Sequence, residues 1–165
     1  MDSKNHWENQ PRETNGQFGE RPKSIRISLH IWDKVLKAMS KFCTKRIDSN
    51  AKGGSYGELR KETKGNKSVE IHHMPANSAS ELSRWKGPCI ILEKEEHVQT
   101  RSHTTQKNSR TYRQKQKDLI EKGKFFKAEE MDIIDIFRIA GVKYSKALLE
   151  KINYDNKLYE RGEIR

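Results

Sequence analysis

Residues 69–97 read VEIHHMPANSASELSRWKGPCIILEKEEH, and this stretch decides the fold. Val69 and Ile71 alternate with Glu70 and His72, the period-two pattern of a strand with one apolar face. Pro75 ends that strand, because proline has no N–H to give a ladder. MPANSASELSRWKG then reads as a loop, and PCIILEKE as a second strand whose buried run is Cys89, Ile90, Ile91 and Leu92. From Glu95 the chain turns helical through His97. Strand, loop, strand and helix in close succession make a ββα unit.

Outward from this unit the period changes to that of helices. Residues 106–122, QKNSRTYRQKQKDLIEK, form a very polar helix with a stripe of Tyr112, Leu119 and Ile120, and Gly123 terminates it. KAEEMDIIDIFRIAG follows, amphipathic through Met131, Ile133, Ile134, Ile136, Phe137 and Ile139, with Gly141 as its stop. A last helix runs from Ser145 to about Tyr159 on Leu148, Leu149, Ile152 and Leu158. On the N-terminal side, AKGGSYGELRKETKGNKS reads as a Gly- and Lys-rich loop with a short seam of Tyr56 and Leu59. Leu29, Trp32, Val35, Leu36, Met39 and Phe42 recur at helical spacing from an N-cap at Ser28. Residues 1–22 have no apolar period and read as a disordered arm. The expected fold is α+β, a small two-stranded ββα element embedded among several helices. Residues 23–165 form one domain, with its ββα core at about 68–105 and a helical part at about 106–160.

Composition narrows the function. Of 165 residues, 32% are apolar and 35% charged, with a formal net charge of +11, so a thin core carries a thick basic surface. No run approaches the roughly 18 apolar residues of a membrane span, and MDSKNHWENQPRETNGQFGE has no apolar core of a secretory signal. A soluble protein is expected. Cys43 and Cys89 are too few for a disulfide scaffold or a cysteine zinc knuckle, and Cys89, inside an apolar run, reads as a core thiol. Residues 101–127 carry nine basic side chains against Asp118 and Glu121, whereas residues 128–165 carry seven basic and eight acidic ones. The charge is therefore concentrated just past the histidines, where Arg101, Lys107, Arg110, Arg113, Lys115 and Lys117 suit a polyanion. The plainer reading of such a run is a solvated helix face. Tyr112 within it is a core residue or a stacking surface. The amides of Lys52 to Ser55 form a phosphate cradle or a plain turn.

Four of the six histidines, His72, His73, His97 and His103, fall in the window 72–103; His6 and His30 read as incidental. Neutral imidazole binds divalent ions, and two imidazoles on one ion leave room for a phosphate oxygen. A third, with an unperturbed pKa of about 6.5, can deprotonate water. Adjacent strand residues point to opposite faces, so one of the pair can face the ion and its neighbour the water. A His-His dipeptide is also a common surface accident, and the plainer reading of His103 is a solvated loop residue.

EIHHMPA followed by GPCIILEKEEHVQT resembles the HNH or ββα-metal (His-Me finger) nucleases, of the His-His type found in C-terminal domains of bacterial polymorphic toxins. GSYGELRK and YRQKQKDLIEKGKF resemble sequences that flank the pair in such domains, so the likeness spans about residues 53–155. The resemblance implies His72 and His97 as metal ligands and His73 as general base, on one divalent ion (Mg, Zn or Ni). It also implies a role as an interbacterial toxin, delivered into the cytoplasm of a target cell, with an acidic immunity protein as partner. Where many relatives carry a further His or Asn after the helix ligand, this chain has Thr100 and Arg101. His103 is the next candidate ligand, six residues on and reachable if the helix ends near Ser102. Asn77 or Glu93 takes the place of the family's middle Asn, and Arg60 is a candidate electrophile at the scissile phosphate. The expected function is a metal-dependent endonuclease of little sequence specificity, with DNA favoured over RNA because the chemistry needs no 2′-hydroxyl. A non-catalytic nucleic-acid-binding module and a metal-independent ribonuclease are the rivals.

Overall fold

The computed structural model describes Lys34, Ile47, Asp48 and residues 50–165. The expected arm 1–22, the helix Ser28–Phe42 apart from Lys34, His6, His30 and Cys43 lie outside the described residues. Within them the fold is α+β, and the ββα unit forms as its sequence dictates. Strand β2 (Val69–His73) pairs antiparallel with β3 (Pro88–Glu93), and helix α2 (Lys94–His97) follows directly. The loop between the strands contains one 3-10 turn, Asn77–Ala79.

The sheet has three strands rather than two. Gly53–Ser55, read above as loop, forms β1 on the other side of β3, giving the order β1-β3-β2. β1 is pressed onto helix α5 (Ser145–Glu160) so closely that a Cβ at Gly53 would meet the Ala147 carbonyl oxygen at 1.9 Å. Gly53 N–H also donates to the Glu150 carboxylate at 3.0 Å. Gly53 therefore serves backbone packing, and neither phosphate cradle nor plain turn describes this strand. The same stretch then forms helix α1 (Tyr56–Glu62). Ser55 caps it, accepting from Glu58 N–H at 3.2 Å and donating its hydroxyl to the Glu58 carboxylate at 2.8 Å. The Ser55-x-x-Glu58 spacing is the signal that the loop reading passed over.

The remaining helices are α3 (Ser109–Glu121), α4 (Phe125–Ala140) and α5, with Gly123 and Gly141 at positive φ just past the first two. Alternation along the strands sorts the core into two bodies. Ile90 and Leu92 of β3 join Phe125, Ile133, Ile136, Leu148, Ile152 and Leu158 in the main core against α4 and α5. Cys89 and Ile91 face the other way, onto Tyr56 and Leu59 of α1, with Val69 and Ile71 beside them. In the ladder His72 lies opposite Ile90 and Glu70 opposite Leu92, while His73 lies opposite Cys89. Beneath the main core Lys151 is fully buried between Glu129, at 2.6 Å, and Asp155, at 2.9 Å. Among the described residues no helix is long and apolar enough to cross a membrane.

Candidate metal centre

The register settles which histidines share a face. Glu70 and His72 point to the helical side of the sheet, together with His97 at the end of α2. The His72 and His97 rings lie 5.2 Å apart, and the His97 and His103 rings 5.0 Å apart, both edge-to-face. The Glu70 carboxylate makes a short contact with His97 Nδ1. One donor atom each from Glu70, His97 and His103 falls within 4.8 Å of the others. Ligand bonds of about 2.0–2.2 Å make this trio close enough to share one divalent ion. A carboxylate with two imidazoles suits zinc and its first-row neighbours.

His103 reaches this place because α2 stops at His97. Successive turns then fold the chain back, with Thr100 N–H donating to the His97 carbonyl at 3.1 Å and His103 N–H to the Thr100 carbonyl at 2.9 Å. The returning segment is tied down by three hydrogen bonds. Asp135 accepts from Arg101 N–H at 2.7 Å, Arg138 donates to the Gln99 carbonyl at 3.0 Å, and Arg113 donates to the Ser102 carbonyl at 2.6 Å. Thr105 Oγ1, 2.8 Å from His103 Nδ1, fixes that ring's rotation.

Burial tunes these imidazoles. His72 is only 4% exposed, and burial, reinforced by the neighbouring histidines, pushes its pKa well below the ordinary value. It stays neutral, and its ring nitrogens have no hydrogen-bond partner among the described residues. His97 is also lowered by burial, with Glu70 pulling the other way.

His73 is not brought into this group. It lies on the opposite face, stacked on Tyr56 at 4.9 Å, and its Nε2–H donates to the Arg84 carbonyl at 3.2 Å. Burial lowers its pKa too, against the hydrogen bond to Arg84. Arg60 is exposed on α1, on that same side of the sheet. Asn77 is exposed in its 3-10 turn, and Glu93 pairs with Lys143 at 2.9 Å. Of the basic run, Arg113 is occupied in holding the His103 segment, Arg101 is exposed with its guanidinium 3.4 Å from Asp135, and Lys107, Arg110, Lys115 and Lys117 are exposed. Tyr112 is half-buried, its hydroxyl on Asp132 at 3.0 Å, and Cys89 is a fully buried thiol. Glu70 is the one member of the cluster that the sequence reading missed; its signal was its place two residues before His72, hence on the same strand face.

No family model, no curated protein and no solved structure matches the chain.

Proposed function

We propose that the protein is a metal-dependent nuclease whose ion is held by Glu70, His97 and His103. The observation that carries this reading is the row of three imidazoles, at 5.2 and 5.0 Å, with a carboxylate on the middle one. A purely structural cluster has little reason to gather three titratable rings at one strand-to-helix corner.

A divalent ion bound there would offset charge on a phosphodiester oxygen and acidify a bound water. The chain's own residues supply the rest. Glu70 orients His97 and holds its proton on a defined side. His72, which no hydrogen bond engages among the described residues, is the imidazole on this face outside the trio and the one assigned to take a proton, against the burial that lowers its pKa. This departs from the roles implied for both, His72 as ligand and His73 as base, because the trio is Glu70, His97 and His103 and His73 lies across the sheet with Nε2 engaged. Lys107, Arg110 and Lys115, all exposed, and Lys117, 3.9 Å from Glu121, are the basic side chains offered to the phosphates, which favours backbone contact over base reading. DNA is the favoured substrate. The resemblance to toxin nucleases adds an interbacterial role, and a short acidic immunity protein would complement the basic surface.

The test is incubation of the purified chain with plasmid DNA and with total RNA, with EDTA or with added Mg²⁺, Zn²⁺ or Ni²⁺. Metal-dependent cleavage that disappears in His97→Ala supports the reading. Full activity on RNA in EDTA would replace it with the metal-independent ribonuclease, and binding without cleavage under every metal would leave a nucleic-acid-binding module.

A further inference from the structure

On the other face of the sheet a groove of about 660 Å³ opens between α1 and the strand-connecting loop, lined by Gly57, Glu58, Arg60, Lys61, Lys64 and Trp85. Trp85 is 63% exposed, the largest apolar side chain left in solvent among the described residues. It is not loose. Its carbonyl accepts from Gly57 N–H at 3.0 Å, and its indole meets the Tyr56 ring edge-on at 5.6 Å. Tyr56 is itself fixed: Arg84 lies over its ring at 4.8 Å and donates to its hydroxyl at 3.0 Å, while His73 stacks on it at 4.9 Å. The indole is thus held by a clamped aromatic stack while most of its surface stays wet.

Around that indole basic groups outnumber acidic ones, three to one. Arg60, Lys61 and Lys64 are exposed, and no acidic side chain among the described residues pairs with them. The lone carboxylate of the groove, Glu58, is engaged with the Ser55 hydroxyl at 2.8 Å. A rigid flat apolar surface flanked by three unpaired cations matches a planar ring joined to phosphate. A paired base hides its face in the helical stack, so the ligand must present an unpaired base. An acidic peptide would satisfy the cations but has no use for the indole.

We propose that this groove is a subsite for an unpaired nucleotide, its base stacked on Trp85 and its adjoining phosphates on Arg60, Lys61 and Lys64. The proposal deepens the nuclease reading, since it names single-stranded or locally opened nucleic acid as the substrate class. It also gives the His73–Tyr56–Arg84 stack a role apart from the metal centre, as the support of the platform. Arg60 becomes a phosphate contact rather than an electrophile at the scissile bond.

The test is anisotropy titration of a fluorescently labelled oligothymidylate with the full chain in EDTA, so that binding is read without cleavage. Trp85→Ala should weaken binding about 5- to 100-fold, with Trp85→Phe restoring most of it. Removing Arg60, Lys61 and Lys64 together should lower the slope of log affinity against log salt by about two. All four residues are exposed, so the folded state, checked by circular dichroism, should survive. Unchanged oligothymidylate binding by Trp85→Ala overturns the subsite, and so does an equal loss on blunt duplex. So does polyglutamate binding that depends on Trp85, which would assign the groove to an acidic protein. Trp85-dependent binding in a protein that cleaves nothing under any metal would uphold the subsite while the nuclease reading fails. Metal-dependent cleavage by a protein whose oligothymidylate binding ignores Trp85 would do the reverse.

Discussion

The two faces of strand β2 place the same chemistry in opposite surroundings. On the even side, Glu70 and His72 meet His97 and His103 above a helical core. On the odd side, His73 joins Tyr56, Arg84 and Trp85 at the rim of an open basic groove. Neighbouring histidines of identical intrinsic chemistry thus acquire different partners solely because strand side chains alternate. One face gathers donors for a cation; the other gathers flat rings beside cations, as an anion with a planar group requires.

The sharpest way to break this division is to remove one histidine at a time. His97→Ala and His72→Ala should each lower metal-dependent cleavage about 10²- to 10⁴-fold. Both should leave oligothymidylate binding in EDTA unchanged. His73→Ala should do the opposite, keeping cleavage of a saturating substrate while weakening the single-strand affinity. If His73→Ala abolishes cleavage and His72→Ala does not, the faces have been assigned the wrong way round.

A second test concerns what lies behind the metal-side face. Burial by itself would drive the Lys151 pKa down, but Asp155 and Glu129 beside it raise it, so the lysine remains charged. Lys151→Met leaves two carboxylates facing each other in the core and should cost about 3–5 kcal/mol. In a domain of this size that lowers the thermal midpoint by on the order of 10 °C. The variant should still bind oligothymidylate below its midpoint, because the groove lies on the far side of the sheet.

The third prediction is a pH dependence. Burial raises the Asp132 pKa from 3.8 to about 7, against hydrogen bonds from Gln116 and Tyr112. A carboxyl whose folded pKa lies above its unfolded one contributes stability that is complete below about pH 4 and is lost as pH rises through 7. The thermal midpoint of the wild type, measured against that of Asp132→Asn, should therefore fall between pH 4 and pH 8. The limit set by the shift is about 4 kcal/mol. A difference that stays flat over this range would show Asp132 ionised in the fold.

The smallest effect is expected at Arg113, whose hydrogen bond holds the Ser102 carbonyl and with it the segment that returns His103. Arg113→Ala should weaken metal affinity about 10- to 100-fold, as followed by calorimetric titration with Zn²⁺. Single-strand binding at Trp85 should not respond. An equal loss on both faces would mean that Arg113 serves the basic surface rather than the metal centre.

Much of this was legible in the sequence, and what was not has identifiable causes. The ββα unit shows in the alternation of Val69 and Ile71, in the apolar run after Pro88 and in the histidines at the ends of both elements. Helices α3 to α5 follow from their apolar periods and from Gly123 and Gly141. Strand β1 was hidden because three residues of Gly, Gly and Ser carry no period, and their pairing depends on β3 and on the close approach of α5. Glu70 was passed over because a lone carboxylate on a strand looks like a solvated residue until a ring is placed against it. Trp85 drew no notice because a tryptophan in a loop says nothing of its exposure.

The sequence by itself determined the ββα unit and the three C-terminal helices, the basic balance and the four histidines able to do chemistry, since periodicity, charge and side-chain type are local properties. Only the tertiary structure decided which of the paired histidines joins His97, that His103 swings back to meet it, and that Trp85 stands open among cations. Those outcomes rest on strand register and on where a four-residue helix stops, and both are set by contacts between residues far apart in the chain.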